Sequence, residues 1–162
     1  IHAELIGYAA NGDASDFVLP DQEGRSAADC MTAAIASAGL TTTDISAINA
    51  HGTATRLGDR AEAVAIRRTF GTHIPPISST KAMTGHTLGG AGAIEAVFSI
   101  AMLEHGYIPV SRNCEPLDPE FADLPIVTRP ERRQVDTVLS NSFGFGGTNA
   151  SLLFKRTDTS RQ

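Results

Sequence analysis

Strand-like and helix-like stretches alternate along nearly the whole chain, and this alternation restricts the fold more than any other feature. Residues 1–10 carry a strand pattern, and residues 11–23 form a loop rich in Asp, Gly and Pro. In residues 26–38, Ala27, Met31, Ala34, Ile35 and Ala38 recur at helical spacing, with Gly39 as the stop. Residues 45–50 make a short apolar strand. A second helix spans 59–70, with Asp59 and Glu62 as a capping pair at its start. A short strand at 77–79 leads through a polar loop (80–86) into a third helix, 88–104. After a loop at 109–125, strands at 135–142 and 149–154 close the chain around a glycine-rich turn. The order β-α-β-α-β-α-β-β predicts an α/β fold: a mixed, mostly parallel sheet covered by helices, ending in a hairpin. One domain over residues 1–155 and a polar tail at 156–162 are expected.

Composition narrows the function. Of 162 residues, 41% are hydrophobic and 19% charged, which suits a packed core. A net charge of −5 and the lack of a basic run exclude a nucleic-acid partner. No apolar stretch approaches the roughly 20 residues that span a bilayer, so no membrane partner is expected. Two cysteines are too few for a disulfide framework and point to a reducing, cytoplasmic setting. The first methionine is Met31, residues 1–10 do not read as a signal peptide, and residue 1 already sits inside a strand pattern, so a fragment is expected.

The third helix is apolar nearly all round, which predicts an interior position. Its middle carries one acid, Glu95. A carboxylate there is costly unless a cation or several donors meet it, and Lys81 and His86 are the nearest cations in sequence. A Lys81–Glu95 pair that braces the His86 loop is therefore expected; a solvated stripe is the alternative for Glu95.

Functional groups in layered α/β domains gather past the carboxyl ends of strands. One such place here holds His51-Gly52-Thr53-Ala54-Thr55, an imidazole with two hydroxyls two residues apart; taken alone, His51 reads as well as a satisfied turn histidine. A second holds Lys81 and His86. A third, Asn141 to Asn149, surrounds Phe143 and Phe145 with glycines that expose backbone N–H groups, as an oxyanion hole requires, although a plain hairpin turn fits as well. The histidines lack metal-ligand spacing, so no metal is expected. Cys30 sits in an apolar stripe and Cys114 has an acidic neighbour, so neither reads as a nucleophile.

Three segments appear in order: His-Gly-Thr-x-Thr-x-x-Gly-Asp-x-x-Glu (51–62), Ser-Thr-Lys-x-Met-Thr-Gly-His (79–86) and Asn-Ser-Phe-Gly-Phe-Gly-Gly-Thr-Asn (141–149). Together they resemble the C-terminal half of β-ketoacyl-acyl carrier protein synthases, the elongating condensing enzymes of fatty-acid and polyketide synthesis. Residues 99–109 look most like the synthase I branch. The resemblance implies a thiolase-like fold of two similar halves, of which this chain is the second. It implies a decarboxylative Claisen condensation of an acyl thioester with malonyl-acyl carrier protein in fatty-acid elongation. His51 and His86 would act on the malonyl thioester, with Lys81 shaping the field near His86 and Glu95 bracing it. Thr53 and Thr55 would bind the phosphopantetheine arm. Phe145 would gate the site and complete the oxyanion hole through its backbone N–H.

The family's nucleophilic cysteine lies in the first half, so this chain would be inactive alone. No cofactor is implied, since substrates ride on the phosphopantetheine of acyl carrier protein. The implied partners are acyl carrier protein, the N-terminal half of the same enzyme and a second copy in a homodimer. A polyketide ketosynthase fragment, a non-catalytic chain-length partner and a half-domain that only binds acyl carrier protein are the rivals. A half-fold is also expected to expose a large apolar patch and to self-associate.

Overall fold

The computed structural model describes residues 1–157. Strand β1 is Ala3–Gly12, α1 Arg25–Ser37, β2 Ala47–Asn49, α2 Arg56–Phe70, β3 Ile77–Ser78, α3 Lys81–Thr84 and α4 Ala91–His105. Strands β4 (Tyr107–Ile108) and β5 (Glu131–Arg132) form a small antiparallel pair that the sequence pattern did not indicate. β6 (Thr137–Phe143) and β7 (Thr148–Arg156) close the chain.

The main sheet has the order β1-β7-β6-β2-β3. β2 pairs in parallel with both β3 and β6, and β7 runs antiparallel between β6 and β1. Four strands therefore point one way and β7 alone opposes them, which is the mixed, mostly parallel sheet with a closing hairpin.

Side-chain alternation splits the core between the sheet's two faces. Ile48 and Leu139 join Met31 and Ile35 of α1 and Ile66 and Phe70 of α2. Their neighbours Ala47 and Val138 join Met102 and Leu103 of α4 on the other face. Helix α1 lies close to the sheet because Gly7 of β1 carries no Cβ; one placed there would come within 2.4 Å of the Ala34 carbonyl.

Three boundaries differ from expectation for local reasons. Helix α2 starts a turn early, at Arg56, because the Thr55 carbonyl accepts the Asp59 N–H at 2.9 Å. The 80–86 loop contains α3, and the third helix divides into a 3₁₀ turn, Leu88–Gly90, and α4. The expected tail loses Arg156 to β7, and residues 158–162 lie outside the described residues.

Helix α4 is not interior on all sides. It buries Ala91, Glu95, Ser99, Met102 and Leu103 against the sheet, while Val97 is 63% exposed. The polar side chains find partners there: Ser99 Oγ accepts from Asn49 Nδ2 of β2 at 3.3 Å, and the Glu95 carboxylate meets Lys81 of α3. On the outward side Ala93 and Val97 are exposed and Ile94 and Phe98 are half-buried. Exposed large hydrophobics also occur on β1 (Leu5, Tyr8), in the loop at Phe17 and Val18, and at Leu88 and Phe145.

Candidate active site

The adjacent parallel strands β6, β2 and β3 end at the same edge of the sheet, so three segments far apart in sequence meet there. Beyond β2 the backbone turns sharply at Gly52, whose φ of 37° suits a residue without Cβ. His51 precedes it, and its ring lies 5.4 Å from that of His86, nearly perpendicular at 83°. Burial pushes the His51 imidazole down to about 3, and the nearby Lys81 and His86 charges push the same way. His51 is therefore neutral near pH 7, and its buried Nδ1 meets no partner among the described residues.

His86 follows α3 and Gly85 and is exposed. Its Nδ1 accepts the Leu88 N–H at 3.2 Å, which leaves Nε2 as the protonated nitrogen of the neutral ring. The site thus offers two imidazoles, one half-buried and one at the surface, each able to present an N–H.

Lys81 and Glu95 form a buried ion pair through Nζ and Oε1, with side chains 5% and 3% exposed. Burial pushes the Glu95 carboxyl above the usual carboxylate range, against the pull of the Lys81 ammonium. Glu95 Oε2 meets no partner among the described residues. The expected pairing is thus present, and it ties α3 to α4 directly before the His86 turn.

Glu62 does not cap α2. It is buried, and its two carboxylate oxygens accept the His51 N–H at 2.9 Å and the Gly52 N–H at 2.8 Å. Asn141 Nδ2 of β6 reaches the same carboxylate at 3.3 Å. Burial raises the Glu62 carboxyl, against these donors. Asp59 accepts the Ala54 N–H at 3.1 Å instead of acting as a helix cap. Neither role is legible from sequence, because spacing within α2 cannot show what its buried face meets. An acid at a buried position of an amphipathic helix is the one available signal.

Thr53 and Thr55 place their hydroxyls 3.0 Å apart, over Gly58, where a Cβ would come within 2.5 Å of Thr55 Oγ1. Thr53, Lys81 and His86 line a cleft of about 800 Å³ whose floor includes Ile66 and Ile77. Phe145 is 79% exposed in the turn after β6, where Gly146 and Gly147 hold φ of 76° and 72°. The aromatic ring set against His51 is that of Phe143, at 6.1 Å.

The pattern of the β-ketoacyl synthase C-terminal domain matches residues 2–115, most of the chain. The chain belongs to the β-ketoacyl synthase family. Over 156 residues it is 51% identical to 3-oxoacyl-[acyl-carrier-protein] synthase 1 of Escherichia coli K12, covering 96% of this chain and 37% of that protein. It is 46% identical over 160 residues to the mitochondrial 3-oxoacyl-[acyl-carrier-protein] synthase of Arabidopsis thaliana, covering 95% of this chain and 34% of that protein.

Among solved structures, a β-ketoacyl synthase from Burkholderia phymatum STM815 superposes with a TM-score of 0.92 at 39% identity, over 98% of this chain and 38% of that one. A ketosynthase complexed with a type II polyketide acyl-carrier protein superposes with a TM-score of 0.93 at 32% identity, over 98% of this chain and 39% of that one. These are thiolase-like ketosynthases, so the fold inferred from the motifs holds. The chain spans little more than a third of the length of its relatives. His51, Lys81, His86 and Glu95 all fall within the part of this β-ketoacyl synthase chain that the family pattern covers.

Proposed function

We propose that this chain is the malonyl-handling half of a 3-oxoacyl-acyl carrier protein synthase, an acyltransferase of fatty-acid elongation. The observation that carries the reading is the meeting of His51 and His86, rings 5.4 Å apart at the shared end of β2 and β3. In the reaction, the bond between the malonyl carboxylate and its α-carbon breaks and CO₂ leaves. The electron pair passes to an enolate whose negative charge sits on the thioester oxygen. Two imidazole N–H donors directed to that oxygen stabilise it, and a neutral His51 keeps one ring N–H to donate. The α-carbon then attacks an acyl thioester held on a cysteine outside this chain, and the thiolate is released.

The other assignments follow from this one. Lys81, braced by Glu95, supplies positive potential beside His86. Thr53, which lines the cleft, and Thr55, whose hydroxyl lies 3.0 Å from that of Thr53, hydrogen-bond the phosphopantetheine arm of acyl carrier protein. Phe145 gates the site and offers its backbone N–H to the acyl thioester oxygen. No cofactor takes part. The working enzyme includes an N-terminal half with the cysteine, pairs as a homodimer and acts in the cytoplasm; the two free cysteines suit a reducing compartment. The isolated chain is inactive. The 51% identity to a 3-oxoacyl-[acyl-carrier-protein] synthase 1, against 32% to a type II polyketide ketosynthase, favours fatty-acid elongation.

The test is malonyl-acyl carrier protein decarboxylation by the full-length protein. His51→Ala and His86→Ala should each slow it on the order of 10²–10³-fold, the usual cost of an oxyanion donor, while acyl transfer to the cysteine persists. Decarboxylation unchanged in both variants overturns the proposal.

A further inference from the structure

The two histidines sit on different segments, and their spacing has to be held by something other than their own rings. Strands β2 and β3 pair through backbone bonds only as far as the Ala50 N–H to the Ser78 carbonyl, 2.8 Å. Past that rung both chains leave the sheet, one toward His51 and the other toward Lys81 and His86. The next link across the gap is a side chain. Ser79 Oγ donates to the Gly52 carbonyl at 2.9 Å, one residue after His51. The Ser79 backbone N–H is in turn donated to Ser111 Oγ at 3.0 Å, and the Ser111 N–H to the Val127 carbonyl at 2.7 Å. The contact is close: a Cβ on Gly52 would lie 2.7 Å from both Cβ and Oγ of Ser79. Gly52 thus has its N–H held by Glu62 and its carbonyl held by Ser79, and only the second hold reaches the segment that carries Lys81 and His86.

We infer that Ser79 is a positioning residue that sets the His51–His86 spacing, by continuing the β2–β3 ladder with its hydroxyl where the backbone can no longer do so. The inference rests on the proposed role of the two histidines. Ser79 itself does not touch the reacting atoms. Its effect falls on the step in which both imidazoles must meet one oxygen, since small displacements of oriented groups cost rate more than binding. Removing the hydroxyl lets the two turns separate, whereas the thiol ester arm is still held at Thr53 and Thr55.

The experiment uses the full-length protein and measures kcat and KM for malonyl-acyl carrier protein decarboxylation in Ser79→Ala, Ser79→Thr, His51→Ala and His86→Ala. Ser79→Ala is expected to lower kcat about ten-fold with KM within two-fold, and Ser79→Thr, which keeps the hydroxyl, to recover most of the loss. Acyl transfer to the cysteine, measured in the same variants, should stay within two-fold. If Ser79→Ala fails to fold, Ser111→Ala removes the acceptor of the Ser79 N–H and is expected to show the same kcat loss at smaller size. A kcat in Ser79→Ala within two-fold of the unmodified protein, while both histidine variants collapse, overturns the inference and leaves the proposed function standing. Equal losses in Ser79→Ala and Ser79→Thr overturn it as well, since the hydroxyl would then not be the operative group. Histidine variants that keep full decarboxylation overturn the proposed function, and this inference with it.

Discussion

Glu62 holds the backbone of His51: one carboxylate oxygen accepts the His51 N–H at 2.9 Å while the other accepts the Gly52 N–H at 2.8 Å. A carboxylate is the one side chain of this length that offers an acceptor at both oxygens. Glu62→Gln puts an NH₂ against one of the two backbone donors and leaves that N–H buried without a partner. The expected cost is about 1–3 kcal/mol of stability, read as a lowered denaturant midpoint. An unchanged midpoint would mean the turn satisfies its N–H groups in another way.

Lys81 and Glu95 are buried together, and removing either alone strands the other. Lys81→Met and Glu95→Gln should each cost about 3–5 kcal/mol, with the double variant less damaged than the sum of the two. A double-mutant cycle on denaturation free energies checks this. Strict additivity would show that the two groups do not depend on each other.

His51 gives a pH dependence whose sign can be worked out. Its folded imidazole titrates at about 3, below its ordinary 6.5. Between those values the unfolded chain binds the proton and the folded protein does not, so the His51 contribution to stability is full above about pH 6.5 and is lost as the pH falls toward 3. The raised carboxyls Glu62, Glu95 and Asp59 act in the opposite sense: their contribution is present at low pH and is lost as the pH rises through their folded values. Comparing the unmodified protein with His51→Gln removes this background. The variant should gain on the unmodified protein by up to roughly 2 kcal/mol between pH 7 and pH 5, measured by denaturation at each pH. A difference independent of pH would place His51 in water.

Two glycines separate steric from conformational demand. Gly7→Ala drives a methyl into the Ala34 carbonyl at 2.4 Å, so α1 must move off β1; about 1–3 kcal/mol is expected. Gly39 has φ of 68° and open space around it, so Gly39→Ala costs only the left-handed strain, about 1–2 kcal/mol. Thermal midpoints of both variants test this. A neutral Gly7→Ala would show that the helix is not set by that contact.

The sequence by itself determined the order of the main strands and the longer helices, the closing hairpin, and the family; it also singled out His51, Lys81, His86 and Glu95 as candidates, while β4, β5 and α3 were left unseen. The elements follow from local periodicity, whereas the family and the site candidates follow from the resemblance of three ordered motifs. The Lys81–Glu95 pair was legible too, because an acid in the middle of an apolar helix demands a cation and few were near. Only the tertiary structure decided that Glu62 serves the His51 turn, that Ser79 bridges Gly52 to the Lys81 segment, and that Phe143 is the ring against His51. Each of these joins residues on separate strands or helices, and their meeting depends on which strands lie side by side. The outward face of α4 belongs in the same group. Its apolar pattern predicted burial on every side, but a helix on one face of a sheet has only one side to bury, and Glu95 and Ser99 share that side with Met102 and Leu103 because Lys81 and Asn49 meet them there.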